Sequence, residues 1–572
     1  MPRTSVSVSR RQFMVAGTAS ALSYSGLPYT AYSGSDRQPA YAEKTGHAAG
    51  GFPFQHGVAS GDPLQDKVIL WTRITPPSDE LAIHYRWRIA RDPEFHQVVN
   101  QGQGYTNAER DFTVKVDADR LAPGQSYYYV FEALGQRSDI GRTRTLPTGE
   151  VEHLRIAFIS CSNYARGYFN VYKEIAQRAD LDVVLHLGDY IYEYSNHEQS
   201  LVTGRVHQPL HVTRTLADYR QRHACYKTDR DLQEVHRQHP FIVIWDDHEV
   251  ANNAWGSVAQ GDGGADNHST QDGDWRERLS GAVRAYMEWM PIREQVNAND
   301  PFQIYRRFRF GNLLDLNMLD TRLAGRDQQS DDPQVRDAES RTLLGYKQEQ
   351  WLEDNLAQAQ QDGVIWKLLG QQVMMSQFSI NQSPLNHDQW DGYPAARQRL
   401  FNALKQAQVD NFVVLTGDIH SSWALALNDD PFAPYPGDNL GVELVTPAVS
   451  SPGIESEARA ALAAASLESL LPHLDFVDFY YRGYVLLDIK PQRIQAEWWV
   501  VDEVERPRYA SECLRARVIP AGQAQLLPAP ELTPAKNAPA PAPTFSEEFA
   551  YLRQWRRGSH FDTPRNQQLA AR

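Results

Sequence analysis

Disulfide cross-links cannot be what holds this chain together, because its 572 residues include only three cysteines, Cys161, Cys225 and Cys513. That is far too few for the stapled scaffolds of small secreted proteins. The odd number leaves at least one sulfur unpaired. The sequence is equally compatible with a Cys225–Cys513 bridge and with two separate buried thiols, leaving Cys161 for other use. Excess positive charge is missing as well: 57 Lys and Arg against 71 Asp and Glu give a net charge of -14. Broad electrostatic binding to nucleic acid or to an anionic membrane is thereby disfavoured, and an anionic substrate needs a local positive centre. No apolar run approaches the roughly 20 residues of a membrane-spanning helix. A bias toward disorder is absent too, since 41% hydrophobic and 22% charged residues describe an ordinary globular chain. Single cores stop growing at roughly 250 to 300 residues, so two or more domains are expected.

What is present begins with an address. Ser9-Arg10-Arg11-Gln12-Phe13-Met14 precedes a weakly apolar run, Val15 to Leu27, and Ala40-Tyr41-Ala42 offers a small-x-small cleavage site. This is the layout of a twin-arginine export signal over residues 1–42. It predicts transient engagement of the twin-arginine translocation machinery and a periplasmic or secreted protein, folded and metal-loaded before export. Residues 43–150 are rich in short strand-like runs. The turn at Leu121 to Ser126, followed by Tyr127-Tyr128-Tyr129-Val130-Phe131, resembles the tyrosine-bearing corner of immunoglobulin-like and fibronectin type III sandwiches. A small β-sandwich packing beside a catalytic domain is expected there; the alternative is a carbohydrate- or partner-binding module. From 151 to 515 strands and helices alternate, the pattern of an α/β layered domain. Residues 516–572 read as a Pro/Ala-rich linker followed by a short helix over Ser546–Arg557, able to dock on the body or cap the site.

Within the α/β region, buried strand-like runs end in metal-competent residues. Asp182-Val-Val-Leu-His-Leu-Gly-Asp189 leads to Tyr192; Leu154 to Ile159 ends in Ser160-Cys161-Ser162-Asn163; Phe241 to Trp245 ends in Asp246-Asp247-His248-Glu249; Phe412 to Leu415 ends in Thr416-Gly417-Asp418-Ile419-His420. Strand ends are where open α/β sheets place ligand chemistry. Taken singly, each has an ordinary reading: a buried small hydrophobe for Cys161, packing for Tyr192, a turn for His420, helix caps for Asp189 and Asp418. Together they predict a metal centre. Thiolate and phenolate donors suit a trivalent ion such as iron(III), carboxylates suit calcium, magnesium or manganese, and zinc would accept much of the set.

Gly188-Asp189-x-x-Tyr192, Asp247-His248-Glu249 and Gly417-Asp418-x-His420 resemble successive blocks of the purple acid phosphatase and metallophosphoesterase superfamily. Cys161 in place of the first-block Asp, together with Ser-Cys-Ser-Asn-Tyr, Trp-Asp-Asp-His-Glu-Val and His56-Gly-Val-Ala-Ser-Gly-Asp-Pro63, narrows the resemblance to the alkaline phosphatase D (PhoD-like) family over nearly the whole chain. The resemblance implies a metallophosphoesterase-like β-sheet sandwich flanked by helices. It further implies hydrolysis of phosphate mono- and/or diesters by metal-activated water, with phospholipase D-like cleavage of lipid head groups as the alternative. By the same resemblance Fe(3+) takes Cys161, Asp189, Tyr192 and His420. Ca(2+) takes Asp189, Asp246 or Asp247, and Asp418, with Asn253 or Asn163 as further candidates. His248 is left to donate a proton or hold a phosphate oxygen, and Arg166 is a candidate phosphate contact. Monomeric action on a phosphate-ester substrate, with no stable nucleic-acid or membrane partner, is expected.

Two other classes are weaker. A cysteine-nucleophile phosphatase wants five residues between Cys and Arg, whereas Cys161 and Arg166 have four, and it leaves the acidic cluster without a task. A non-enzymatic binding protein built on the sandwich predicts no hydrolysis of any ester.

Overall fold

The computed structural model describes residues 51–77, 82–195, 202, 204–294, 303–380, 383–433 and 437–543. The expected export signal and C-terminal helix lie outside these residues. Two large sheets share one apolar core. The first has ten strands in the spatial order Leu527–Pro528, Ser511–Pro520, Arg493–Val501, Arg482–Lys490, Leu154–Ile159, Val183–His186, Pro240–Val243, Val58–Gly61, Val68–Arg73 and Thr113–Ala118. The second has seven, in the order Arg306–Phe310, Leu314–Met318, Trp366–Gly370, Phe412–Thr416, Gly441–Val445, Ser422–Leu427 and Leu474–Asp478. Ile156, Leu185, Ile242 and Leu487 from the first meet Leu316, Leu368, Val413 and Leu444 from the second in one buried cluster.

Each sheet contains a parallel block whose strands are buried along their whole length, as parallel strands covered on both faces are. Leu154–Ile159, Val183–His186 and Pro240–Val243 run parallel in the first; Leu314–Met318, Trp366–Gly370, Phe412–Thr416 and Gly441–Val445 do so in the second. A parallel bridge from Ser160 to Ala448 joins the blocks at their carboxyl ends. The expected metal-competent residues therefore leave the two sheets on the same side. Helices such as Leu216–Tyr226, Arg230–Gln238 and Trp275–Trp289 cover the flanks. Thr215, Asp229 and Asp274 cap their first turns by accepting backbone N–H bonds, which fixes where each helix starts.

Strand pairing crosses the first boundary read from the sequence, and the second falls inside a strand. A five-stranded sheet from the N-terminal region, including Ile83–Ala90 and Ser126–Ala133, packs Ile89, Tyr129 and Phe131 against Val58, Leu70 and Val114. The opposing strands, Val58–Gly61, Val68–Arg73 and Thr113–Ala118, belong to the ten-stranded sheet itself, so hydrogen bonding crosses the expected division at residue 150. The Tyr127 hydroxyl does accept the Ala122 N–H at 2.8 Å, as a tyrosine corner would. The second difference is at residue 515, which lies inside the strand Ser511–Pro520. Leu514, Ala516 and Val518 alternate along it, the strand pairs with Arg493–Val501, and the Pro-rich text begins only beyond it. All three cysteines are free thiols, so no Cys225–Cys513 bridge forms.

Candidate metal centre

Four strand ends converge, and two glycines let them. A Cβ on Gly188, which has a φ of 106°, would lie 2.4 Å from the Asp246 Cβ; a Cβ on Gly417 would lie 2.7 Å from Ser160 Oγ. Cys161, Asp189, Asp418 and His420 themselves adopt positive φ, at 62°, 54°, 64° and 52°. Non-glycine residues take this conformation at an energetic cost that the surroundings must offset, and such outliers gather at functional sites.

One group consists of Cys161, Asp189 and His420, whose donor atoms all lie within 4.8 Å of one another. Tyr192 joins it: its hydroxyl donates to Asp189 Oδ2 at 2.8 Å and sits 3.1 Å from His420 Nε2. The His420 Nδ1 lies 3.1 Å from the Pro452 carbonyl, which leaves Nε2 as the lone-pair nitrogen facing the group. A second-side bond to a backbone carbonyl is how metal-ligating histidines are usually oriented. Burial, then the charges of His248 and Arg482, push His420 down to about 3, so the ring is neutral. Burial and the Asp189 carboxylate push the Cys161 thiol and the Tyr192 phenol well above their ordinary ranges. Without a cation these donors keep their protons.

The second group is Asp246, Asp247 and Asp418, and a third links Asp189, Asp247 and His248, each within 4.8 Å. His248 Nδ1 lies 2.8 Å from Glu193 Oε2, and its ring stacks obliquely on Tyr192 at 4.3 Å. Although burial opposes it, the carboxylates of Glu193, Asp189 and Asp247 hold His248 well above the usual histidine range, hence protonated. Asn253 stands beside Asp247 through its backbone N–H, 2.6 Å from Oδ2, but its side-chain amide donates to Asp266. Asn163 turns its side-chain oxygen to the Ala165 N–H. Arg166 is half-buried on the loop after Cys161, outside all three groups.

A cation fits what is left over. Among the described residues, Asp189 Oδ1 and Asp246 Oδ2 are buried without a hydrogen-bond partner, and Asp247 Oδ1 has only the Arg322 guanidinium, 3.3 Å away. Orphaned carboxylate oxygens buried together are costly unless something positive meets them.

Several residues that build this site carry no conspicuous motif. Glu249 accepts backbone N–H groups from Asp246 at 2.7 Å, Asp189 at 3.0 Å, Tyr190 at 2.5 Å and Ile191 at 3.3 Å, clamping two ligand loops with one carboxylate. Ser451 places its hydroxyl 2.9 Å from the Cys161 carbonyl and 2.8 Å from the Tyr192 oxygen. Fully buried Arg322 pairs with Asp246 Oδ1 at 2.5 Å, Asp418 Oδ1 at 2.7 Å and both Asp388 oxygens. Arg322 follows a strand end, Asp320-Thr321-Arg322, so the rule that located the ligands would have found it too. Asp388 and Ser451 lie on long loops and leave no such trace.

The comparisons fit this geometry. Residues 156–498 match the model for the PhoD-like phosphatase family. The chain belongs to that family. Residues 40–147 match the model for the N-terminal domain of PhoD-like phosphatases. Alkaline phosphatase D of Bacillus subtilis (strain 168) is 38% identical over 475 residues, which cover 80% of this chain and 79% of the relative. A solved structure of PhoD matches with a TM-score of 0.76 at 34% identity, over 93% of this chain and 100% of that one. As a PhoD-like phosphatase, the chain is a hydrolase with a mixed α/β fold, and the strand ends of its two parallel blocks carry the candidate metal-binding groups.

Proposed function

We propose that this phosphatase is a metal-dependent phosphoesterase of metallophosphoesterase-like architecture, hydrolysing phosphate mono- and/or diesters after export through the twin-arginine route to the periplasm or beyond. The observation that carries this reading is the meeting of thiol, phenol, imidazole and orphaned carboxylate donors on one strand-end face. Cys161, Asp189, Tyr192 and His420 would hold iron(III), whose preference for thiolate and phenolate matches them. Asp189, Asp246, Asp247 and Asp418 would hold calcium, with Asn253 adjacent. Such ions, when bound, supply Lewis acidity and neutralise phosphate charge.

The protein's own groups do the rest. Glu193 fixes one ring nitrogen of His248, so the other is free to give a proton to the departing oxygen. Asp247, between the two histidine- and carboxylate-bearing groups, orients that face of the site. Arg166, on the loop after Cys161, is the candidate contact for a phosphate oxygen.

Elemental analysis of protein produced through the twin-arginine route, followed by rates on matched mono- and diesters with and without chelator, tests the reading. Iron with calcium and chelator-sensitive release of phosphate are expected; full activity in metal-free protein would refute it. Replacing Arg10 and Arg11 by Lys is expected to retain the protein in the cytoplasm, and undiminished export would refute the proposed address.

A further inference from the structure

Glu193 follows Tyr192 directly and is completely buried. Its two carboxylate oxygens face different parts of the chain. Oε2 holds His248 Nδ1 at 2.8 Å, whereas Oε1 accepts the backbone N–H of Asn252 at 2.9 Å and the side-chain amide of Asn267 at 2.5 Å. Beyond that nitrogen the His248 ring forms no hydrogen bond among the described residues, and it lies against Tyr192 and Tyr194 with centroids 4.3 and 5.1 Å away. Among polar groups, then, Glu193 alone aims the opposite ring nitrogen. A flexible glutamate can do so only if its own rotamer is locked by further hydrogen bonds.

Asn252 donates from the segment that also carries His248. Asn267 does not: it lies between the strand Asp262–Gly264 and the helix Trp275–Trp289, 74 residues from Glu193. Its neighbours place it. The Asp266 N–H meets the Asn252 carbonyl at 2.9 Å, Asp266 Oδ2 accepts the Asn253 amide at 2.7 Å, and Arg278, whose Nε donates to the Tyr219 hydroxyl at 3.0 Å, reaches the Asn267 carbonyl at 3.4 Å. The Asn267 side chain takes no part in that fastening. Among the described residues its amide makes the single bond to Glu193, and its Oδ1 is buried without a partner. An asparagine side chain has two donors and an acceptor oxygen, so one serving only to hold its own loop would use more of them, and within the loop. A bond to an ionised carboxylate is the stronger kind, and this one is directed at the residue that orients His248. An error of about 1 Å in placing a catalytic group costs on the order of 10²-fold in rate.

We propose that Asn267 is a positioning residue for the hydrolysis: acting through Glu193, it aims His248 at the departing oxygen of the ester, an assignment that rests on the phosphoesterase reading above. The full metal-loaded chain and its Asn267→Ala variant are compared on a nitrophenyl monoester, whose phenolate departs without a proton, and on an alkyl monoester, whose alkoxide requires one. Loss of a hydrogen bond to a charged group is expected to lower kcat on the alkyl ester about 10-fold or more. Nitrophenyl turnover should change less than about threefold, with KM for both esters and metal content unchanged. In a His248→Asn background the same substitution should change alkyl-ester turnover by less than about twofold, since residues that act as one unit are not additive. Equal losses on both esters, undiminished alkyl-ester turnover, or a full further loss in the His248→Asn background overturn the assignment. Absence of hydrolysis of either ester by the unmodified chain overturns the phosphoesterase reading instead. Should the Ala variant fail to fold, Asn267→Asp carries the test, since it keeps the shape of the amide and exchanges its donor for an acceptor: selective loss on the alkyl ester supports the assignment, and unchanged turnover overturns it.

Discussion

On the side of Cys161, Tyr192 and His420, the donors are neutral until a cation arrives, because burial and the neighbouring carboxylate push the thiol and phenol up while burial pushes the imidazole down. On the side of Asp246, Asp247 and Asp418, a cation is already built in: Arg322 lies among those three and Asp388, and their charges hold it well above its usual range despite complete burial. Burial still raises Asp246 well above the ordinary carboxylate range and Asp418 to about 6 beside Arg322, so the first side withholds ionisation outright while the second sets a built-in cation against the same burial. The first side depends on a ligand to become charged at all; the second keeps its shape through protein contacts alone.

The largest test falls on the first side. Cys161→Ala and Tyr192→Phe are each expected to abolish the visible charge-transfer absorption of iron-loaded protein and to cut turnover on the order of a thousandfold, the scale of losing a principal source of transition-state charge stabilisation. Retained colour in both would break the assignment of the neutral donors as iron ligands. His248→Asn should lower kcat by about 10²- to 10⁴-fold, the usual contribution of a positioned proton donor, with metal content unchanged; loss of metal instead would move His248 to the ligand set.

Arg322→Met probes the paired side. It strands four carboxylates, and removing one partner of a buried ion pair destabilises by about 3 to 5 kcal/mol, readable by chemical denaturation. Added calcium should restore part of that loss, whereas an unaltered midpoint would show that the pairing contributes nothing.

A third buried cation sharpens the contrast. Among the described residues Lys227 forms no ion pair with a carboxylate; it donates to the Tyr190 hydroxyl at 2.9 Å and lies 4.7 Å from the Trp71 ring centroid. Burial alone lowers it to about 7. Between that value and the ordinary lysine range the unfolded chain binds more protons than the folded one, so stability rises with pH across this window, and the cost of the buried charge is complete below about pH 7. Lys227→Met is therefore expected to raise stability by about 1 to 3 kcal/mol below pH 7, after the lost cation–π contact is discounted. The gain should shrink toward pH 10. A gain independent of pH would mean that packing, not charge, is responsible.

Why some of this was legible is a matter of distance along the chain. Each ligand-bearing loop follows an apolar run that must be a buried strand, so Cys161, Asp189, Asp247 and Asp418 could be read one strand at a time, and their convergence followed from parallel strands sharing a carboxyl end. Arg322 sits at a strand end that the same rule reaches, but its partners Asp246, Asp388 and Asp418 lie 76, 66 and 96 residues away, and the rule does not say which carboxylates it pairs with. Strand pairing across residue 150 is hidden in the sequence for a related reason: it is decided by neighbours in space, and Val58–Gly61 finds its parallel partner in Pro240–Val243. The Pro/Ala tail looked like a free linker because much of its docking uses backbone groups, which every sequence possesses, with Lys536 adding an ion pair to Asp182.

The smallest test concerns that tail. Arg142 donates to the Pro539 carbonyl at 3.2 Å, Tyr128 to the Ala540 carbonyl at 2.6 Å, and Gln238 exchanges hydrogen bonds with both backbone groups of Ala542. Tyr128→Phe should cost about 1 kcal/mol without altering either side of the metal centre; altered metal content would tie the tail to the site.

The tail also sets an order of events during synthesis. Tyr128 bonds a residue 412 positions downstream, so part of the N-terminal sheet emerges from the ribosome long before its partner exists. Ordering so distant a contact comes late and at an entropic cost. A ribosome stalled anywhere before residue 540 would carry a body missing its last fastening, and a protease probing such stalled chains should find them easier to open than the finished molecule.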